Sequence, residues 1–463
     1  MRRSLATARA AFALPACVLL VACTRLVGRA DLTDASADGA DGGDDGAVTA
    51  SMDGALDDAR SSVTCAVAAS ERSGQPDPTL SERRAPVGFP TFHSKGARQD
   101  AEGRFYVYGS RIDCARPGSN HDGFVARFDA EGQPDVTFGN RGWACVDLGR
   151  SAAEVFFGMD IDPWGRPVLV GASVTETPSA LVARFTAEGL PDMTFGEGGV
   201  RDYGLPGAPR QPVYAYAVVA ETDGLVIAGA DHDPYNAPSL GFALRLLGNG
   251  AIDPSFHDGV AWVDRTTSGY SALARTRAGY ALAGQSQPGF QPRVVMLDRG
   301  GALVEGFGVN GVATHRAAGL RVRGLSVTPQ GAFVLAGGAA TPPAGPVTLV
   351  RFDARGRPDL LFGEAGAFVG PVAYDASYSL QPSLASRCDG RIFVSSGNAD
   401  GVALLALTER GALDADFGDG GAVRIFAGAA RATLVDPRDG RVTVVFGVSV
   451  ATGDVVGFER FLP

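Results

Sequence analysis

The chain has 463 residues, 45% of them hydrophobic and 20% charged, with 63 Gly and a formal net charge of −10. Its apolar content suffices for a large core, and Gly at short, even intervals predicts turns and short strands rather than long helices. An isoelectric point near 5.1 with no basic stripe excludes nucleic acid as a partner, and no stretch after residue 30 reaches the roughly 18 apolar residues of a membrane span.

Arg2, Arg3 and Arg9 precede an apolar run from Ala10 to Ala22. This is the pattern of a signal peptide over residues 1–22, too short for a spanning helix. The run ends Leu20-Val21-Ala22-Cys23, which resembles the lipobox of bacterial lipoproteins. The resemblance implies that Cys23 becomes the first mature residue and carries lipid, so the membrane is a partner through that anchor. Thr24 stands where an Asp would argue for inner-membrane retention, and the expected location is the outer membrane of a bacterial envelope. Several acyl chains on one Cys hold stably where a single chain is marginal. An ordinary signal peptide with an incidental Cys is the alternative.

Residues 23–84 read as an anchored tether. Between 31 and 62, nine Asp stand against one Arg among Ala, Gly, Ser and Thr. Such a segment has too little apolar surface to offset its ordering entropy, and its like charges extend it. It also accounts for most of the net charge, so overall acidity says nothing about partners.

Residues 85–463 repeat. One phrase, first seen as Phe128-Asp-Ala-Glu-Gly-Gln-Pro-Asp-Val-Thr-Phe138-Gly139, returns around Phe195, Phe256, Phe307, Phe362 and Phe417, at steps of 51 to 61 residues. A period of this size marks units that cannot bury a core alone. A Gly-opened apolar run, such as Gly103-Arg-Phe-Tyr-Val-Tyr-Gly109 or Gly165-Arg-Pro-Val-Leu-Val-Gly171, occurs seven times. So does a strand closing on an aromatic or Leu, at Phe128, Phe185, Leu246, Leu297, Phe352, Leu407 and Phe461. Four strands per repeat follow, which we label p (143–146 in one copy), q (155–161), r (166–170) and s (181–185). Radially repeated four-stranded antiparallel units make an all-β β-propeller, here of seven blades. Only six p strands follow a Phe-Gly phrase, so the seventh is expected from Val87 to Phe92, closing the ring and removing its edges. A six-bladed ring or an open solenoid is the alternative.

These phrases resemble the bacterial delta-60 repeat family, large secreted or surface proteins without an established activity. The resemblance covers 85–463, implies the repeat fold and transfers no catalytic residue. Within the phrase, the Asp sets a turn through its side chain, Gly allows positive φ, and Phe plugs the space between blades. The Arg before the strand-end aromatic (Arg127, Arg184, Arg245, Arg351, Arg460) needs an acceptor, and the Asp eight residues on is the natural one. Copy four has Met296 and Val304 instead, and copy six keeps Asp414 but has Ala406.

Antiparallel order puts the q–r turns and the near-constant s–p connectors on one face, and the unequal r–s and p–q loops on the other. Binding usually lives on variable loops over a rigid scaffold. That face would carry Arg111, Asp113, His121, Asp231, His232, Asp233 and Tyr235, with Tyr203, Tyr214, Arg265, Tyr270, His315, Tyr374 and Tyr378. Asp231-His232-Asp233 is the best ligand trio for a metal, but one His and two Asp without convergent partners predict none. No cofactor is expected, and no Ser/His/Asp spacing supports nucleophilic catalysis. An exported chain permits disulfides; the expected pairs are Cys114–Cys145, near the variable face, and Cys65–Cys388. The reading is a non-enzymatic envelope lipoprotein whose variable face binds a protein or glycan. The alternatives are a propeller enzyme (lactonase, glycosidase or quinoprotein dehydrogenase) with an axial site, and a purely structural envelope component.

Overall fold

A computed structural model describes residues 73–80, 83–86, 89–112, 114, 121–146, 153–174, 178–205, 213–231, 240–263, 267–317, 319–339, 345–374, 382–398, 401–425, 428–450 and 453–463. These form seven four-stranded antiparallel sheets. The strands closest to the axis are His93–Gln99, Ala153–Ile161, Tyr214–Ala220, Thr267–Arg275, Leu320–Val327, Ser383–Ser386 and Ala429–Val435. Each contacts the next in this order, and the last contacts the first. The protein is a closed seven-bladed β-propeller. The q strands are innermost and the p strands outermost. No helix among the described residues is long and apolar enough to cross a membrane.

The core is not central but lies between blades. Seven apolar clusters fill the seven interfaces. Each r strand is covered on both faces, which is why runs such as Gly224–Ala230 are buried throughout and lack the in–out alternation of a half-exposed sheet.

The Phe of the repeated phrase is the expected plug. Phe138, Phe195, Phe256, Phe307, Phe362 and Phe417 are all buried. The next residue donates its amide to a carbonyl of the following blade: Gly139 to Glu188, Gly196 to Asn249, His257 to Gly300, Gly308 to Arg355 and Gly363 to Arg410. The phrase is thus a staple between neighbours.

The sixth such bond runs from the Gly418 amide to the Ser73 carbonyl, and it shows how the ring closes. The outermost strand of the seventh blade is Arg83–Arg84, paired with Phe458 and Gly457, and not residues 87–92; Phe92 adds only an isolated bridge to Asp454. Gly74-Gln-Pro-Asp-Pro-Thr-Leu80 is a seventh copy of the phrase, identical to 132–138 at five positions. Its structural roles match too. Asp77 takes the Thr79 amide and hydroxyl, the Asp77 amide donates to the Arg460 carbonyl, and Leu80 is buried where other copies place Phe. The strand preceding this copy lies at the opposite end of the chain, ending in Phe461. Among the described residues, contacts of the ring therefore begin at Ser73, ahead of the expected boundary at 85.

Arg–Asp pairing within the repeat is present in copies one, two, three and five, while in the split seventh copy Asp77 is reached instead by Arg441 at 3.3 Å. Arg127–Asp135 is 2.8 Å and Arg184–Asp192 is 2.7 Å, while Arg245–Asp253 and Arg351–Asp359 are looser at 3.8 and 3.7 Å. In copy six, Arg391 of the neighbouring strand reaches Asp414 at 2.9 Å, replacing the Arg that Ala406 lacks. The guanidinium also lies over the plug: Arg127 and Arg184 each sit 4.6 Å from the ring centre of Phe138 and Phe195. Arg127 and Arg460 each reach a carbonyl of the following blade, at Ala187 and Ala130.

Candidate functional site

The innermost strands run from the variable-loop face toward the connector face, so residues near their starts surround the mouth of the axial channel. Six of the seven carry a β-bulge at the same level, between Ser94/Gly96, Phe156/Gly158, Ala215/Ala217, Tyr270/Ala272, Val322/Gly324 and Ala430/Ala432. A bulge leaves one residue outside the ladder and re-aims its side chain. The six bulged residues are Lys95, Phe157, Tyr216, Ser271, Arg323 and Arg431, and all line the channel. The next residue in every blade is small: Gly96, Gly158, Ala217, Ala272, Gly324, Ser383 and Ala432. At two of the glycines close packing requires this, because a Cβ on Gly158 would meet the Tyr216 carbonyl and one on Gly96 the Tyr108 side chain.

The cavity measures about 200 Å³. Among the described residues its lining contains Lys95, Arg98, Arg323 and Arg431 and no carboxylate. Aromatic and cationic groups occupy different arcs. Phe157 lies 5.2 Å from Tyr216 and 6.3 Å from Tyr214, and the two tyrosines stack at 6.1 Å. Lys95 neighbours them on the first blade. Its ammonium is held below its usual pKa by burial in the channel and by repulsion from Arg431, against the pull of Asp454. Asp454 is buried and committed elsewhere: it binds Arg431 at 2.8 Å and accepts from the Ser94 and Ser449 hydroxyls.

Of the residues expected on the variable face, Tyr214 borders this mouth. His121 opens the third strand of the first blade, 5.4 Å from His93 between ring centres, and its pKa is lowered by burial and by His93 and Lys95. Arg111 lies over Trp143 at 5.5 Å. Asp231 is buried and accepts the Leu240 amide at 2.6 Å, so it braces the base of its loop. Tyr270 does not belong to the face. Its strand begins at Thr267, and the ring is fully buried between the third and fourth blades against Gly241. His315 and Tyr203 are also buried, and the Tyr203 hydroxyl donates to the Gly250 carbonyl at 2.6 Å. Tyr203→Phe should therefore cost about 1 kcal/mol in urea unfolding; an unchanged midpoint and slope would show that this bond is dispensable. Cys23, Asp113, His232, Asp233, Tyr235, Arg265, Tyr378 and the side chain of Tyr374 lie outside the described residues.

Cys114 and Cys145 form the expected disulfide, with Cα atoms 6.1 Å apart. Cys388 is also disulfide-bonded, and its expected partner Cys65 lies outside the described residues. A second cavity, of about 460 Å³, opens on the connector face beside the exposed Trp164. Two of its acids are held in turns, Asp100 by Arg104 and Asp162 by Arg166. The rim of that face carries exposed apolar side chains, among them Val136, Leu190, Met193, Val309 and Leu361, which reading the phrase as a connector alone left out.

No model of a known protein family matches this chain, and no curated protein matches it. Many solved structures do, at low identity. One is a protein from Lactobacillus plantarum, 16% identical over 77% of this chain and 99% of that one, with a TM-score of 0.45. Another is the β-propeller domain of the Trilobed protease from Pyrococcus furiosus, described as having an open velcro topology: 9% identical, 81% and 98% covered, TM-score 0.40. A third is a PQQ-bound aldose sugar dehydrogenase from Streptomyces coelicolor: 12% identical, 84% and 99% covered, TM-score 0.37. Likenesses this distant carry no argument about ligand or reaction. The chemistry must be read from this chain's own residues.

Proposed function

We propose that this protein is a binding propeller of the bacterial envelope and a member of the delta-60 repeat family. A lipid on Cys23 anchors it, the acidic segment of residues 31–62 spaces the ring from the membrane, and the variable-loop face engages a protein or glycan. The observation that carries the reading is the axial mouth: aromatic side chains of Phe157, Tyr214 and Tyr216 beside the Lys95 cation, opening toward the unequal loops. Aromatic rings offer large contact area at low entropic cost, and charge beside them supplies orientation.

Two measurements test it. Cys23→Ser should move the protein from the membrane fraction to the soluble fraction; a variant that still sediments with membranes would refute the anchor. Partners and glycans captured by the intact chain should be lost, at least tenfold, when loops 206–212 and 232–239 are shortened. A shortened q–r turn at 436–441 serves as control. Equal capture by both shortened forms would overturn the assignment to the variable face.

A further inference from the structure

We infer that the axial mouth is a subsite for one acidic sugar unit, its carboxylate against Lys95 and its ring face on Phe157 and Tyr216. This rests on the binding reading above and names its ligand class.

Three observations converge on this chemistry. The first is charge. The channel lining among the described residues contains four cations and no carboxylate. The carboxylate that acts on Lys95 is Asp454, and it is already bound by Arg431, Ser94 and Ser449. An anion entering the channel therefore meets the Lys95 ammonium, whose acting carboxylate is already committed, and no carboxylate on the described wall repels it. Burial and Arg431 both disfavour the protonated Lys95, and a bound carboxylate would relieve that penalty.

The second is shape. The bulged residues form the wall, and the small residues one step further in line the space beyond them. At about 200 Å³ the space is smaller than the usual 300–1,000 Å³ of a drug-sized site. It suits one ring at the end of a chain, with the remainder running out over the loops.

The third is the aromatic arc. Phe157 and Tyr216 are half-buried members of the wall, on blades two and three. A bare inorganic anion makes no use of them, whereas the apolar face of a pyranose does. The geometry thus selects an acidic sugar over a simple anion.

The test is calorimetric titration of the full mature chain with three probes: trigalacturonate, its methyl ester and inorganic phosphate. Trigalacturonate should bind, the ester at least tenfold more weakly, and phosphate more weakly still; added salt should weaken the acid and leave the ester unchanged. Lys95→Met keeps the apolar stem and should lower acid affinity at least tenfold, with Lys95→Arg restoring most of it. Tyr216→Leu should weaken acid and ester alike. Unchanged melting of each variant confirms folding, and Lys95→Arg provides a folded comparison if the Met form melts early. Equal binding of acid and ester, or indifference to Lys95→Met, overturns the carboxylate assignment. Phosphate binding as tightly as the acid reduces the site to a simple anion site. If trigalacturonate fails to bind while loop-dependent capture persists, the sugar subsite falls and the binding face stands.

Discussion

A chain that begins at residue 85 should lose its cooperative unfolding transition, or melt tens of degrees below the full chain. Removing 73–84 takes away the buried Leu80, the Asp77 turn, the staple from Gly418 to Ser73 and the closing strand against Phe458 and Gly457. Losing a buried Leu alone costs about 2–5 kcal/mol. With the strand and staple also gone, the loss approaches the whole stability of an ordinary domain, about 5–15 kcal/mol. The seventh blade would also be left with Gly453–Phe461 as an unpaired edge, a template for association. Circular dichroism melts and size-exclusion chromatography read both effects. A truncated monomer melting within about two degrees of the full chain would show that the split seventh phrase does not close the ring. Gly74→Ala makes the same point without truncation. Gly74 has φ of +78°, and a Cβ there would run into the Gly418 amide.

Asp192→Asn should cost about 3–5 kcal/mol, because it leaves the buried Arg184 guanidinium without its ion partner. Arg184 and Asp192 have side chains only 3% and 6% exposed, so solvent screens the pair little. The double change Arg184→Met with Asp192→Val should cost far less. Copy four of this chain already carries that solution, with Met296 and Val304 packed against the Phe307 plug. Replacing both charges with apolar groups is often neutral or stabilising, whereas stranding one is not. Burial opposes ionisation of Asp192, but hydrogen bonds from the Thr194 hydroxyl and amide and the charge of Arg184 outweigh it and lower its pKa. Its stabilisation is therefore full above the unfolded carboxylate value of about 3.9 and is lost as pH falls through the lower folded value. Acid unfolding should thus steepen below about pH 4 in the wild type and flatten in the double variant. Equal denaturation midpoints for wild type and Asp192→Asn would remove the pair from the account of stability.

Much of this was legible without coordinates. Phe195 could be recognised as a plug because the same Phe returned with the same neighbours, and Arg184 with Asp192 because a strand-borne guanidinium needs an acceptor. Seven r and seven s strands argue for seven blades against a six-bladed ring, and the seven sheets agree. The split phrase at 74–80 left a signal too, five matching residues. It went unread because no strand ending in an aromatic precedes it, its strand half lying at the far end of the chain. Tyr270 and Tyr203 were misplaced for a different reason. Tyr203 closes its strand, and the strand that carries Tyr270 begins three residues before it, at Thr267, so both rings enter the core where a loop assignment leaves them in solvent.

The sequence by itself determined the repeat, the four strands of each blade, the plugs and the ion pairs, because these are local needs met identically in every copy. The tertiary structure alone decided the axial mouth. Lys95, Phe157, Tyr216, Ser271, Arg323 and Arg431 are of five residue types and share no motif. A bulge in cross-strand register brings them to one level around one axis. That register is a property of paired strands, so no single segment of the chain contains it.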